Sequence, residues 1–349
     1  NQNGLMIKIK KEDNVMQNDK YFLTYNQQMR KLRNDKKIEC LGSKHKQILV
    51  RTGYFNIING YKMPFVSGND SKGKHIYLPQ TTIDQMYLVK QFDDNLRSLL
   101  LKYITQVEEE VRTLTGYRFD KVNNNGGITW YDTNAYNPSS SLQNKMSTIS
   151  SAYSELSRSQ LDYVKFYMSN HKQIPTWIML KVVNFSTFIS VLQYSKPEVT
   201  HSICKLYNMF DNNGLPNVKL LIGSLHWMRK VRNACAHNER IYCLSRSNDG
   251  RRHSGRIFEK YFQELRQSYH NDHEQRIFDL VVYLKYYLPQ KEYKTFIEEI
   301  YAMLSALERG IHPNAFANIR GKIGIRNLDD LRILEAFPKP DINYNSFDK

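Results

Sequence analysis

The stretch VRNACAHNERIY places Arg232, Asn233, His237 and Arg240 within nine residues, with Arg229 just upstream. An imidazole titrates near neutral pH, so His237 can take a proton or give one. A guanidinium stays charged and presents a planar fork that fits phosphate oxygens. These residue types suit acid–base chemistry beside a stabilised phosphate anion. A solvated helix face with an incidental histidine satisfies the local pattern as well, and composition alone favours that plainer reading. Metal chemistry is not expected: Cys235, His237 and Cys243 match no standard zinc spacing and lack a fourth ligand.

The element that must position these groups reads as a helix opening near Val218. At about 100° per residue, Val218, Leu221, Ile222 and Leu225 lie within about 80° of Arg229. Arg229, Asn233, His237 and Arg240 continue along that face at i, i+4, i+8 and i+11, with Arg232 flanking them. Trp227, Met228, Val231, Cys235 and Tyr242 form a second apolar face opposite. Burying such polar groups unpartnered costs several kcal/mol each, so the row must meet a solvent cleft, an anion or a second copy of the chain.

Charge points the same way. The 349 residues carry a formal net charge of +16, with 50 Lys+Arg against 34 Asp+Glu, which favours a polyanionic partner. Residues 1–80 hold 15 basic and 6 acidic side chains and residues 220–256 hold 8 and 2, whereas residues 81–140 hold 6 and 8. The four cysteines show no CxxC pairing, so reduced thiols are expected. No run approaches 18 apolar residues and NQNGLMIKIKKEDN has no signal core, so a cytoplasmic protein without membrane contact is expected. Because the numbering starts at Asn, the initiating residues are expected to precede it.

Periodicity predicts an all-α chain with almost no strand signal. After a frayed basic leader, LTYNQQMRKLRND opens a helix with Thr24 as N-cap and Gln27 completing a capping box. A short helix over 43–51 should stop at Gly53. Residues 53–65 read as a packed turn region and 66–80 as a polar loop. A long helix is predicted over 82–115, and 121–150 as a polar, mobile excursion. Helices follow at 151–171, 175–194 and 198–210, with a turn at 211–217 before the key helix. Beyond the basic loop 245–256, two or three helices fill 257–307, and one short helix falls near 328–336. The domain division predicted from this is a basic N-terminal helical region (1–80), a helical core carrying the motif (81–256) and a C-terminal helical extension (257–349).

Arg232, four intervening residues and His237 resemble the R-x(4–6)-H motif of HEPN ribonucleases. The wider text RKVRNACAHNERIY is similar to the R-N-x-C-A-H-x-x-R pattern of the abortive-infection (Abi) family. Further segments agree in order: LTYNQQ, GYFNIINGYKMPF, FDDNLR followed by VEEEVR, and IPTWIMLKVVNFS. The likeness covers about residues 20–245 and extends distantly to the nucleases of type VI CRISPR effectors. Lys181 stands where the family segment carries an acidic residue, Ser186 where glycine is common, and Cys243 where asparagine is frequent.

This resemblance implies a HEPN-like helical bundle and a ribonuclease toxin of antiphage defence that cleaves RNA without a metal or other cofactor. A 2′-OH attacks the adjacent phosphate and leaves a 2′,3′-cyclic end. His237 would carry acid–base work, Arg232 would stabilise the phosphorane, and Asn233 would orient the imidazole or hold phosphate. Arg229 and Arg240 would be secondary phosphate ligands. Arg97, Lys62, Tyr54 and Tyr61 are candidates for RNA contact, although an i, i+4 ion pair with Asp93 explains Arg97 more simply. One motif supplies half of a two-group mechanism, so the resemblance implies a homodimer, with Arg266 and His273 as a less favoured second half-site. The basic N-terminal end suggests a small structured regulatory RNA. Competing readings are a non-catalytic RNA-binding scaffold of a ribonucleoprotein and, more weakly, a DNA-binding repressor built on helices 24–34 and 43–51.

Overall fold

Thr24 forms the expected capping box: its side chain accepts from Gln27 N, while Gln27 Oε1 accepts from Thr24 N at 2.9 Å. This starts α1 (Tyr25–Lys36), which packs against α2 (Gly42–Thr52). Gly53 ends α2 at φ 77°, a conformation that needs glycine. The computed structural model describes residues 22–125, 127–246, 257, 259–265, 269 and 274–347. The basic leader, most of the basic loop 245–256, and the pair Arg266 and His273 lie outside the described residues.

Residues 53–65 are packed as expected, burying Ile57, Ile58, Tyr61 and Phe65 in tight helical turns. The predicted polar loop is instead an antiparallel hairpin of β1 (Val66–Asn69) and β2 (His75–Tyr77). Asp70 Oδ1 accepts from the amides of Lys72 and Lys74, both at 2.8 Å, and closes its turn. Strands of four and three residues are too short for alternation to signal them.

The centre of the molecule is α3 (Ile83–Val122), capped by Thr82, whose hydroxyl accepts from Gln85 N. Its buried residues recur at the three-and-four spacing read from sequence, and it runs seven residues beyond the predicted end. The expected mobile excursion over 121–150 is corrected. Trp130, Ala135 and Tyr136 are buried, Trp130 Nε1 donates to Ile174 O at 2.7 Å, and α4 (Leu142–Arg158) begins within the segment. Two aromatic anchors outweigh the polar composition that made it look loose.

Next come α5 (Asp162–Asn170), α6 (Thr176–Val182), α7 (Phe185–Tyr194), α8 (Pro197–Leu206) and α9 (Val218–Ala236). The C-terminal part holds α10 (Lys260–Leu265), α11 (Ile277–Tyr287), α12 (Gln290–Gly310), α13 (Pro313–Ile323), absent from the sequence reading, and α14 (Asp329–Ala336). Helix α3 contacts α6, α8, α9 and α12, so it is the scaffold on which the motif helix rests. The fold is an all-α helical bundle, and the hairpin is its only sheet among the described residues. One continuous apolar core joins residues from Met29 to Phe347 and runs through all three predicted segments.

Candidate functional site

Asn217 opens α9 by accepting from Leu220 N at 2.9 Å. Leu220, Leu221, Ile222 and Leu225 are buried in its first half, and Trp227, Met228, Val231, Ala234 and Cys235 in its second. Trp227 Nε1 donates to Arg276 O at 3.0 Å, which ties this second face to the C-terminal helices. The helix stops at Ala236. His237 is its C-cap, Asn238 turns left-handed at φ 56°, and the amides of Asn238 and Glu239 bond Cys235 O and Ala234 O at 3.2 and 2.9 Å. That is a Schellman stop with asparagine in the left-handed position. Arg240 therefore does not continue the helical row as predicted. It lies past the stop, exposed, and donates to Gly60 O at 2.7 Å. Asn238 was the available signal for this ending.

The chain beyond the stop is clamped from α3. Asp93 is fully buried, and its Oδ1 accepts from the amides of Ile241 and Tyr242 at 3.1 and 2.8 Å. Its Oδ2 accepts from the Tyr61 hydroxyl and from Arg97 Nη1, both at 3.0 Å. Arg97 also donates to Glu239 O at 2.9 Å and pairs with Asp94. Burial pushes the Asp93 carboxyl above the usual carboxylate range, against the pull of its donors. The pair is thus intrahelical, as the simpler reading held, but it also fixes residues 239–242. Arg97 is committed to these contacts and does not offer a phosphate fork. Tyr61 is buried and stacked on Tyr242 with centroids 6.1 Å apart, so its ring is not open to a base.

Arg232 is positioned by a second pair of α3 residues. Glu108 accepts from Arg112 Nη2 at 2.6 Å and lies 3.6 Å from Arg232 Nε, while Arg232 Nη1 donates to Asn233 Oδ1 at 3.2 Å. Asn233 thus holds the guanidinium, where the sequence reading gave it the imidazole or a phosphate. Arg112 donates to Leu180 O and, at 2.9 Å, to Val183 O, which ties the same cluster to the end of α6. The Arg232 side chain keeps 36% of its surface exposed. It opens on a cleft of about 540 Å³ lined also by Glu109, Thr113, Trp177 and Lys181.

Residues 47–243 match the family described as Abi-like protein, more than half of the 349 residues. The chain belongs to the Abi-like family. The match begins within α2, includes both α3 clamps and α6, and ends just after Tyr242. No curated protein and no solved structure matches the chain.

The remaining candidates of this Abi-like protein are scattered. His237 is exposed and its ring has no hydrogen-bond partner among the described residues. Arg229 is half-buried, with Nε lacking a hydrogen-bond partner among the described residues. Tyr54 and Lys62 are half-buried too, Tyr54 packs on the core, and burial pushes its hydroxyl up to about 12. Arg240 and Phe55 flank another cleft, of about 590 Å³, between residues 55–61 and 238–245. Among the described residues no group of His, Cys, Asp and Glu could hold a metal, and no helix is long and apolar enough to cross a membrane. The two α3 clamps are neighbours of the motif that sequence reasoning missed. FDDNLR and VEEEVR were visible as segments, but which loop each would grip was not.

Proposed function

We propose that this Abi-like protein is a HEPN-type, metal-independent endoribonuclease acting in abortive-infection defence, the process that its family membership points to. The observation that carries the reading is the treatment of the R-x4-H pair. Arg232 lies beside the buried Glu108–Arg112 pair of α3, and the chain just past His237 is held at residues 239–242 by Asp93 and Arg97, yet the Arg232 head and the His237 ring remain open to a ligand. A solvated face would need neither clamp. In the reaction a bond forms between O2′ and phosphorus and the bond from phosphorus to O5′ breaks. One histidine takes the 2′-OH proton, another protonates the departing O5′, and Arg232 balances the phosphorane charge.

Ideal helical spacing from Arg232 in α9 to its C-cap His237 sets the two side chains about 140° and roughly 7.5 Å of rise apart. One copy therefore does not close its own site, and a homodimer that sets two motifs face to face supplies both proton carriers. Labelled single-stranded RNA incubated with full-length protein in EDTA is the test. Wild type should cut to 2′,3′-cyclic ends, while His237→Ala and Arg232→Ala should fall by about 10²–10⁴. Cleavage that survives His237→Ala, or that needs added metal, refutes the assignment. Residues 22–80 carry 11 Lys/Arg against 3 Asp/Glu, with Arg30, Lys31, Lys37, Lys44 and Lys46 exposed, which supports a regulatory RNA on that region. Affinity there should drop steeply as salt rises, and salt-insensitive binding would remove this part of the reading.

A further inference from the structure

We propose that the surface of α5 and α6 is a stacking platform for single-stranded RNA, which feeds the strand into the Arg232 cleft. The proposal takes its substrate class from the ribonuclease reading and adds where the bases bind. Tyr167 is the centre of a run of rings: Trp177 meets it edge-on at 5.6 Å, His171 stacks on it at 4.7 Å, and Phe166 lies 5.9 Å from it. Phe166 and Trp177 are 55% and 54% exposed, although both are large aromatics that a finished core would cover.

The rings are set among cations. Lys165, Lys172 and Lys181 are exposed, and Lys181 Nζ lies 5.7 Å over the Tyr163 ring. On the acidic side Glu108 is already paired with Arg112 and faces Arg232, leaving Glu109 and Asp162 exposed. Interleaved rings and lysines fit a strand that offers a π-face at every base and a charge at every phosphate. A purely apolar partner surface would leave the lysines without counterparts.

Continuity with the site is structural. Trp177 and Lys181 line the same cleft as Arg232. Gly116 lets α6 lie directly on α3: a Cβ there would stand 3.3 Å from Leu180 Cδ1 and 3.8 Å from Trp177 Cα. At the start of α6, Thr176 Oγ1 donates to Asp120 Oδ1 at 2.5 Å. The α6 side of the platform is thus packed against the same helix that holds Arg232. Lys181, which departs from the family's acidic residue, becomes the phosphate contact between platform and cleft.

Trp177 is a built-in reporter, because Trp130 and Trp227 are buried. The experiment uses full-length His237→Ala protein, so that bound RNA stays intact, and titrates tryptophan fluorescence with a twelve-nucleotide oligouridylate, the matching RNA duplex and inorganic polyphosphate. Saturable quenching by the single strand is expected, with the duplex at least tenfold weaker and polyphosphate silent. By anisotropy, adding Trp177→Ala or Phe166→Ala should weaken single-strand binding by roughly 5- to 100-fold at an unchanged unfolding midpoint. Binding within twofold of the parent in both variants, or equal quenching by polyphosphate, overturns the platform. If wild type cuts RNA while Trp177 stays silent, the platform alone fails. If Trp177 responds while wild type cuts nothing, the ribonuclease reading fails and the platform stands.

Discussion

Replacing Asp93 tests the idea that α3 builds the motif. Its carboxylate serves four donors: the amides of Ile241 and Tyr242, the Tyr61 hydroxyl and Arg97 Nη1. In Asp93→Ala all four lose their acceptor in a fully buried place. An orphaned neutral donor costs about 1–3 kcal/mol and a broken buried ion pair about 3–5 kcal/mol. Arg97 keeps Asp94 and the Glu239 carbonyl, which holds the charge contribution near its low end. Because the donors share one acceptor, their losses overlap, and the total should be about 4–5 kcal/mol. Asp93→Asn keeps an oxygen for the two amides and should lose roughly half of that. Urea unfolding measures the totals, and amide exchange at residues 241 and 242 measures the local effect. Exchange there should quicken far more than in α12, and RNA cleavage should fall in the Asn variant even where it remains folded. A loss below about 1 kcal/mol in the Ala variant, or unchanged exchange at those amides, would refute the clamp.

Glu259 gives a pH prediction. Burial pushes its carboxyl up to about 7 from an ordinary 4.5, against hydrogen bonds from the Tyr286 hydroxyl and the amides of Tyr261 and Phe262. A raised folded value means that its contribution is complete below pH 4.5 and fades as pH climbs through 7, a change of about 3 kcal/mol. Glu259→Gln should therefore flatten the fall in stability between pH 5 and pH 8, and denaturant midpoints at the two pH values that shift equally in both proteins would contradict it. Glu108→Gln should loosen Arg232 without removing it. Cleavage should lose roughly 10- to 100-fold in kcat with KM held, and an unchanged kcat would deny Glu108 its positioning role.

The helices were largely legible because burial imprints a three-and-four spacing on any amphipathic segment long enough to repeat it. Helix α3 shows this over most of its length, and the Thr24 box and Gly53 stop announced the ends of α1 and α2. Where few residues carry the signal, the reading failed: the hairpin was too short, and Trp130 anchored a stretch whose composition looked loose. The motif was also legible as residue types in order, since a histidine and a guanidinium five positions apart need no structure to be noticed. Their setting was not. A helical wheel carries no stop, so it ran Arg240 past a turn that Asn238 makes. Nor does sequence separation say that Asp93 would meet the amide of Tyr242, or that Glu108 would face Arg232. Local pattern determined which segments bury which faces, because periodicity is a property of neighbours along the chain. Only the packed fold decided which polar groups are held and which are left open, because that depends on partners brought together from more than a hundred residues away.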